Sequence, residues 1–265
     1  MRFEFGKNWQ SFLKTLDDER ISRAESALLE MFQVESLDGK TFLDIGSGSG
    51  LFSLAARRLG ARVTSFDFDS ESVECTKELK RRYYQHDSDW LIEQGSVLDT
   101  NYLRSKGQFD VVYSWGVLHH TGQMWQAMKN IAELVAPGGC LYISIYNDQG
   151  LASNLWRFVK RLYNRLPGSV KYLILVPAFI RLWLPTAIRD LFQSGNFKTW
   201  EDYSVTRGMS PWHDVVDWVG GYPFEVAKPD EVVDFYSELE FRPQRIEICG
   251  KGRGCNEFVF SSRYG

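Results

Sequence analysis

The sequence predicts an α/β fold built on a mostly parallel sheet, and three observations predict it. Short apolar segments alternate with amphipathic segments between residues 41 and 147. The first apolar segment, TFLDI, runs directly into the glycine-rich stretch GSGSG. Two further apolar segments close the sequence after a long interruption. Strands that alternate with helices are typical of a parallel sheet whose two faces are covered by helices.

Each element of this fold follows from a local pattern. Apolar residues recur at helical spacing over residues 9–33, which predicts one amphipathic helix before the sheet. Apolar segments predict five strands, which lie within residues 41–45, 62–69, 89–99, 109–120 and 140–147. The segments between these strands have helical periodicity, and APGG predicts a turn before the fifth strand.

The alternation of strands and helices stops after residue 147. Residues 148–228 are helical, aromatic and loop-like, and an insertion of about eighty residues is longer than an ordinary connection. The segment KPDEVVDFYSELEF then predicts a closing helix, and RPQRIEICG and CNEFVFSS predict an antiparallel hairpin. The sequence therefore predicts a seven-stranded Rossmann-like sheet in residues 1–147 and 229–265, with residues 148–228 as an α-rich cap.

Composition narrows the class of protein. A hydrophobic fraction of 44% and a charged fraction of 25% are those of an ordinary globular protein. The net charge of −3 argues against nucleic acid as a partner. The first residues lack the apolar run of a signal peptide, so we expect a cytoplasmic protein. We expect no metal site, because the cysteines lack metal-type spacing; they are Cys75, Cys140, Cys249 and Cys255.

The glycine-rich stretch indicates a ligand site. Its glycines follow the pattern G-x-G-x-G, whereas the dinucleotide pattern is G-x-G-x-x-G. Asp44 precedes the first glycine by two residues, and its charge would repel a pyrophosphate. The same charge suits a ligand that carries an ammonium group and a positive sulfur. Asp67 ends the second strand, where an acid can accept hydrogen bonds from both ribose hydroxyls.

Five motifs together resemble those of class I S-adenosylmethionine-dependent methyltransferases. They are LDIGSGSG, the strand-end acid of TSFDFD, EQGSVLD, FDVVYSWGVLHH and LVAPGGCLYIS, in this order over about residues 40–147. The resemblance implies S-adenosylmethionine as methyl donor and S-adenosylhomocysteine as product. The donor-binding residues that it implies are Asp44, Gly46, Ser47, Gly48, Gly50, Asp67, Phe68, Ser96, Val97, Trp115 and Gly116.

The resemblance also implies a role for each part of this set. Asp44 and Gly46 would border the methionine part of the donor, and Asp67 would bind the ribose. Ser96 and Val97 would line the adenine, and Trp115 and Gly116 would lie near the sulfonium. Ser96 departs from the family, which often has aspartate there, but a hydroxyl can still hydrogen-bond the adenine amino group. The alternative is that the glycines only allow close helix packing.

Candidate acceptor residues lie in three places. His119 and His120 follow the fourth strand, where a neutral imidazole can act as general base or simply pack. On a helix, His213 and Asp217 would share a face, and Asp217 would orient the imidazole. A rigid aromatic loop is the alternative for that segment. We expect an aromatic wall around the acceptor from Trp9, Trp212, Trp218 and Tyr222.

Residues 154–192 form a basic and apolar segment. Its apolar run YLILVPAFI is too short and too interrupted by proline to span a bilayer. A basic amphipathic segment can lie on an anionic membrane surface, and resemblance to quinone-biosynthetic O-methyltransferases implies such peripheral contact. A soluble lid over the acceptor site is favoured, and a homodimer interface is the third alternative. Its basic residues are Arg157, Lys160, Arg161, Arg165, Lys171, Arg181 and Arg189.

These observations predict transfer of a methyl group to oxygen, nitrogen or sulfur of a small-molecule acceptor. The first alternative is a lipid or quinone O-methyltransferase that works at a membrane surface. The second is a non-catalytic protein that binds S-adenosylmethionine. A methyltransferase for RNA or protein would be expected to show a basic groove or a recognition domain, and the sequence indicates neither.

Overall fold

A seven-stranded sheet forms the centre of the protein in a computed structural model, which describes residues 6–197, 199–200, 211–250 and 254–262. Its strands are β1 Thr41–Ile45, β2 Arg62–Asp67, β3 Trp90–Gln94, β4 Phe109–Trp115, β5 Val135–Tyr146, β6 Phe241–Glu247 and β7 Cys255–Ser262. The strand order is β3-β2-β1-β4-β5-β7-β6. Strands β1 to β5 are parallel to one another. Strand β7 is antiparallel to both of its neighbours, β5 and β6. The predicted Rossmann-like sheet with a closing antiparallel hairpin is therefore confirmed.

Helices cover both faces of this sheet. They are α1 Gly6–Leu13, α2 Asp18–Phe32, α3 Leu51–Arg58, α4 Ser70–Tyr83, α5 Thr100–Arg104, α6 Met124–Ala132, α7 Leu151–Arg165, α8 Tyr172–Ser194, α9 Pro211–Gly220 and α10 Pro229–Glu238. Short 3-10 turns lie at Leu118–His120 and Gly168–Lys171. An apolar core lies on each face of the sheet, and neighbouring side chains of β1 point to opposite faces. Phe42 packs with Leu28 and Leu54 on one face, and Leu43 lies in the core of the other face with Ile131. Burial on both faces explains why the parallel strands are apolar along their length.

The N-terminal region differs from the single helix predicted over residues 9–33. The chain forms α1 and α2, separated by a turn in which Thr15 N–H donates to the Phe12 carbonyl at 2.9 Å. Asp17 then caps α2, because its side chain accepts a hydrogen bond from the Arg20 amide at 2.9 Å. An aspartate at this position stabilises a new helix start, so the local cap overrides the continuous apolar pattern.

The predicted turn at APGG is also different in the structure. These residues lie inside β5, which begins at Val135 and pairs there with Phe109. The register then shifts, so that Val111 pairs with Cys140. An irregularity of this kind absorbs extra residues within a strand. The glycines therefore bend the strand instead of reversing the chain.

Helices α7, α8 and α9 lie between β5 and α10 and form the region that we call the cap. The cap has a small apolar core of its own, formed by Tyr163, Leu175, Ala178, Val215 and Val219. Its last segment returns to the sheet, where the Ala227 amide donates to the Tyr146 carbonyl at 3.1 Å. The cap is therefore attached at the end of β5.

The expectation that proline interrupts the apolar part of the cap is wrong. α8 continues through Pro177 and Pro185, and both prolines are exposed. A proline removes one helical hydrogen bond, but water can satisfy the carbonyl that is left free on an exposed side. The 3-10 turn and α8 together form a continuous helical segment, Gly168–Phe192, that is long and apolar enough to cross a membrane by length and composition. Only 11% of its most apolar 18-residue stretch is buried inside the protein.

Candidate functional site

The loop after β1 has a shape that requires its glycines. Gly46, Gly48 and Gly50 have φ values of 76°, 55° and 81°, a region that L side chains rarely adopt. A Cβ atom at Gly46 would lie 2.4 Å from a Val117 methyl group, and one at Gly50 would lie 3.0 Å from Thr76. Both conformation and space therefore exclude a side chain at these positions.

Asp67 holds this loop from the end of β2. Its Oδ2 accepts a hydrogen bond from the Gly48 amide at 3.0 Å, and its Oδ1 accepts one from the Asp69 amide at 2.9 Å. The Gly46 amide donates to the Phe66 carbonyl at 2.8 Å. A carboxylate has about four acceptor sites, so these bonds leave it able to accept ligand hydroxyls as well.

Asp44 is buried in a polar network behind the loop. Its Oδ2 accepts a hydrogen bond from the Ser53 hydroxyl at 2.5 Å, and Ser53 is 2.7 Å from the Ser65 hydroxyl. The indole of Trp90 donates to Ser65 at 2.9 Å. Burial raises the pKa of Asp44 to about 7, and the charge of Asp67 adds to this rise while the Ser53 hydrogen bond opposes it. A cationic ligand group would therefore convert Asp44 to its ionised form.

The residues predicted to bind the donor lie together at the carboxyl ends of β1, β2, β3 and β4. Ser47 is buried and its hydroxyl is 3.0 Å from that of Thr76. Ser96 accepts a hydrogen bond from the Leu98 amide at 3.2 Å, and Val97 is buried beside it. In contrast, Phe68 and Trp115 are exposed. Gly116 has a φ of 76°, and a Cβ atom there would meet no atom within 4 Å, so space is open beside the end of β4.

Trp9 lies on the glycine loop. A Cβ atom at Gly48 would be 3.0 Å from the nearest atom of its indole. The amide of Gly6 donates to Asp69 at 3.0 Å, which anchors α1 above the end of β2. The structure therefore brings Trp9 to the predicted donor side, whereas the sequence suggested an acceptor role.

His119 and His120 are both buried beneath the cap. The rings of His119 and Tyr146 are 4.0 Å apart, and His120 Nδ1 donates to the Pro223 carbonyl at 2.6 Å. Burial lowers the pKa of His119 well below its usual value, and the nearby His120 and Lys160 lower it further. His119 is therefore neutral near pH 7. These contacts hold both rings in place, and a catalytic role for His119 or His120 stays a prediction.

The tryptophans of the segment predicted to surround the acceptor pack on the apolar core of the cap. His213 and Asp217 are four residues apart on α9, but the side chain of His213 lies outside the described part of the structure. Trp212 packs inside the cap, with its ring 5.4 Å from that of Phe179. Trp218 packs against Trp156 at 4.2 Å.

Trp9 lies on the glycine loop, whereas Trp212 and Trp218 lie on the core of the cap, and an aromatic wall around the acceptor stays a prediction. Tyr222 is half-buried and follows α9. No group of three or more His, Cys, Asp or Glu side chains within the described ranges is placed to hold a metal ion.

Lys160 is a buried residue that sequence reasoning counted only as a surface charge. Its side chain is 0% exposed, and Nζ donates a hydrogen bond to the Trp218 carbonyl. Nζ lies 4.4 Å, 4.7 Å and 6.0 Å from the ring centres of Trp218, Phe224 and Tyr146. Burial lowers the pKa of Lys160 to about 7. Arg157 lies three residues before Lys160 and Asn164 lies four residues after it. This spacing was the signal in the sequence that the three side chains share one face of a helix.

The polar face of α7, formed by Arg157, Lys160 and Asn164, points inward, and an apolar face points outward. Arg157 Nε donates to the Phe224 carbonyl at 3.1 Å, and Asn164 donates to the Gly220 carbonyl at 2.7 Å. On the opposite side, the exposed fractions of Leu151, Leu155, Phe158 and Leu162 are 88%, 62%, 64% and 40%. An amphipathic helix of a soluble protein normally has the reverse arrangement. Helix α7 is thus attached to the protein by these polar contacts and by the packing of Trp156 and Tyr163 in the cap core, and it presents an apolar stripe outward.

A seven-stranded sheet with a tight glycine loop and strand-end acids defines a methyltransferase-type fold. The chain matches the family model described as methyltransferase domain over residues 16–202. Because this match covers more than half of the chain, the protein belongs to the methyltransferase domain family.

Similar proteins agree with this membership. The chain is 31% identical over 156 residues to the ubiquinone biosynthesis O-methyltransferase of Xanthomonas campestris pv. campestris, which is 57% of this chain and 63% of that protein. It is 29% identical over 166 residues to the enzyme of the same name from Coxiella burnetii, which is 62% of this chain and 65% of that protein. The chain thus spans less than two thirds of the length of these curated relatives.

A solved structure shows the same fold. The magnesium protoporphyrin IX methyltransferase of Synechocystis PCC 6803, determined with bound SAH, superposes with a TM-score of 0.55 at 13% identity. The match covers 91% of this chain and 83% of that one.

Replacement of Lys160 by methionine tests the buried amine. Between pH 7 and pH 10.5 the unfolded chain keeps its lysine proton while the folded chain releases it, so the stability of the natural protein rises with pH. Relative to Lys160→Met, we expect the free energy of unfolding of the natural protein to rise by about 2 kcal/mol between pH 7 and pH 9. Urea denaturation at both pH values measures this difference. Lys171→Met, at a half-buried cap lysine, is the control, and equal pH slopes in natural protein and Lys160→Met would contradict the assignment.

Proposed function

We propose that the protein is an S-adenosylmethionine-dependent methyltransferase that acts on a small-molecule acceptor. The observation that carries the proposal is the placement of Asp44, the glycine loop and Asp67 at the carboxyl ends of two adjacent parallel strands. Asp44 supplies a buried negative charge for the methionine ammonium, and Asp67 supplies two oxygens for the ribose hydroxyls. Family membership and the names of the relatives support the same reaction.

The residues of this chain would bind and orient the reactants. The donor, when bound, supplies an electrophilic methyl group on a positive sulfur. In the transfer, a bond forms from the acceptor atom to the methyl carbon and the bond from carbon to sulfur breaks. Correct alignment of the acceptor is the main requirement, and the open space beside Gly116 would accommodate the approach. Trp9 on one side and the cap on the other would limit the access of water.

Binding and turnover test this function directly. We expect the protein to bind S-adenosylhomocysteine and to release it from S-adenosylmethionine when quinol, phenol, amine and thiol acceptors are supplied. Asp67→Ala removes acceptors for the ribose hydroxyls, so the affinity should fall by roughly 10- to 100-fold, the scale of hydrogen bonds to a charged group. Calorimetry measures the affinity. Asp99→Ala, which removes only the cap of α5, is a control at another strand-end acid. Unchanged affinity in Asp67→Ala would refute the proposed ribose site, and binding without release with every acceptor would favour a non-catalytic donor-binding protein.

The pKa of Asp44 gives a second test. The folded-state pKa of about 7 lies above the usual value of 3.8, so the carboxyl is largely protonated at pH 6 and largely ionised at pH 8. An ammonium group needs the ionised form, and the affinity for S-adenosylhomocysteine should therefore rise roughly tenfold from pH 6 to pH 8. Asp44→Asn should bind more weakly and show no such rise. Calorimetry at both pH values measures the affinity for S-adenosylhomocysteine. An affinity of the natural protein that is the same at pH 6 and pH 8 would exclude Asp44 as the partner of the ammonium group.

We further propose that residues 154–192 bring the enzyme to an anionic membrane surface, where it methylates an apolar acceptor such as a quinol. The outward stripe of α7 and the exposed apolar residues of α8 support this, because large exposed apolar patches mark interaction sites. Arg161 and Arg165 flank the stripe on exposed positions, and their charge complements anionic lipid. The relatives named for ubiquinone biosynthesis support an oxygen atom as methyl acceptor. Localisation would then be cytoplasmic with peripheral membrane contact.

Vesicle binding tests the membrane contact. We expect co-sedimentation with vesicles that contain anionic lipid, and we expect it to weaken as salt is raised, because screening weakens charge attraction. Leu155→Ser combined with Phe158→Ser should abolish it, since both side chains are exposed on α7. Val34→Ser, an exposed apolar residue outside the cap, is the control. Absence of binding at low salt would leave a soluble lid, and a concentration-dependent dimer that the α7 variant disrupts would assign the stripe to a subunit interface.

A further inference from the structure

The strongest unexplained feature of the structure is the buried amine of Lys160. It is the one lysine or arginine that is buried among the described residues. None of the carboxylates in the described ranges forms an ion pair with it. A buried ammonium without an anion costs several kcal/mol, and an apolar side chain of similar size is often as stable or more stable. Packing alone therefore does not account for a lysine at this position.

The contacts of Lys160 are polar but carry no full negative charge. Nζ donates to the carbonyl of Trp218, which lies in the last turn of α9. The last carbonyls of a helix lack intrahelical partners and carry a partial negative charge. The aromatic rings of Trp218, Phe224 and Tyr146 surround the amine. These groups stabilise an ammonium in part, yet the pKa is still lowered to about 7.

The amine lies next to the sheet edge where the reaction would take place. Tyr146 is the last residue of β5, and Ser144 of this strand is paired with Trp115, the last residue of β4. The ring of His119, which follows β4 by four residues, is 4.0 Å from the ring of Tyr146. Ligands of parallel sheets bind beyond the carboxyl ends of such strands. One aromatic ring therefore separates Lys160 from the proposed acceptor side of the site.

The other titratable groups around Lys160 leave its charge uncompensated. His119 and His120 face it from the turn after β4, and both would add positive charge if they were protonated. Tyr146 faces it from β5 and Trp218 from α9, through rings and a carbonyl. Glu225 brings a carboxylate to this side, since its amide donates to the His119 carbonyl at 3.0 Å, but its Oε2 accepts the Met124 amide at 3.0 Å. Within the described ranges it forms no ion pair with Lys160.

We propose that Lys160 binds an anionic oxygen of an aromatic acceptor, either a carboxylate on the ring or the ionised phenol itself. This inference rests on the proposed methyltransferase function and names its substrate class. Because the Tyr146 ring lies between Nζ and the sheet edge, this ring would have to move aside when the acceptor binds. The anion would then replace the Trp218 carbonyl as partner of Nζ, and the acceptor ring would pack against Tyr146 and Phe224. If the oxygen is the phenolate, Lys160 would hold the nucleophile in its reactive form. In either case the bound anion favours the protonated amine.

A pair of probes distinguishes the two anions. 3,4-Dihydroxybenzoate carries a carboxylate, and its methyl ester carries only the two phenols. Both are titrated into the natural protein, Lys160→Met and the control Lys171→Met, each saturated with S-adenosylhomocysteine at pH 7.5. Calorimetry in two buffers of different ionisation enthalpy gives affinity and proton uptake, and ultraviolet absorbance detects a bound phenolate.

The expected result is that Lys160→Met weakens binding of the acid by tenfold or more and leaves the S-adenosylhomocysteine affinity unchanged. If the anion is the carboxylate, acid binding should also take up most of one proton in the natural protein and none in Lys160→Met, because Lys160 becomes protonated. If the anion is the phenolate, the phenol proton passes to Lys160 and no net uptake is expected. If the ester loses affinity equally and shows phenolate absorbance in the natural protein, the anion is the phenol oxygen. If only the acid loses affinity, the anion is the carboxylate.

Three results with the two probes would overturn the inference. They are absence of acid binding to the natural protein, affinities that are the same in the natural protein and Lys160→Met, and equal losses for both probes without phenolate absorbance. Failure of the proposed function is distinguishable, because S-adenosylhomocysteine would then bind to none of the three proteins. Loss of S-adenosylhomocysteine binding only in Lys160→Met would assign the lysine a structural role and would also overturn the inference.

Discussion

The arrangement of the site depends on the hydrogen bonds that the carboxylate of Asp67 accepts. This carboxylate accepts hydrogen bonds from the amides of Gly48 and Asp69, which belong to the loops after β1 and β2. The main-chain carbonyl of Asp67 accepts a hydrogen bond from the amide of Gly95, which follows β3. Three neighbouring loops are therefore held by one residue at the end of a central strand. Hydrogen bonds to an ionised acceptor are among the stronger ones, and a parallel sheet brings the three strand ends to the same edge.

Two buried ionisable groups of opposite sign flank this arrangement. Burial raises the pKa of Asp44 and lowers the pKa of Lys160, and both values come to about 7. In each case the cause is loss of water around the charged form. Each group reduces the stability of the ligand-free chain and gains a favourable interaction when a ligand supplies the opposite charge. Strongly shifted pKa values in a concave region are typical of functional sites. The proposed donor would supply a cationic group to Asp44, and the proposed acceptor would supply an anionic group to Lys160.

The inverted orientation of α7 follows from the segment that it holds. The carbonyls of Trp218 and Gly220 end α9, and the Phe224 carbonyl lies in the loop beyond, so all three need donors from elsewhere. Lys160, Asn164 and Arg157 supply these donors from one face of α7. The opposite face is apolar and exposed, and α8 adds further exposed apolar residues. The same helix therefore carries the exposed apolar stripe on one face and the buried amine on the other.

The sequence by itself determined the features that depend on local pattern. Apolar segments alternating with helical ones specify the parallel sheet, and the spacing of Gly46, Gly48 and Gly50 specifies a loop that only glycine can form. The strand-end positions of Asp44 and Asp67 followed from the same pattern. Only the tertiary structure decided which side chains are buried in the cap, because those contacts join distant residues: Lys160 meets a carbonyl 58 residues away, and His120 meets one 103 residues away. A charge pattern read along α7 cannot show which face turns inward, and so Lys160 was counted among surface charges. The position of Trp9 over Gly48 and the packing of Trp212 and Trp218 on the core of the cap depend on such distant contacts in the same way.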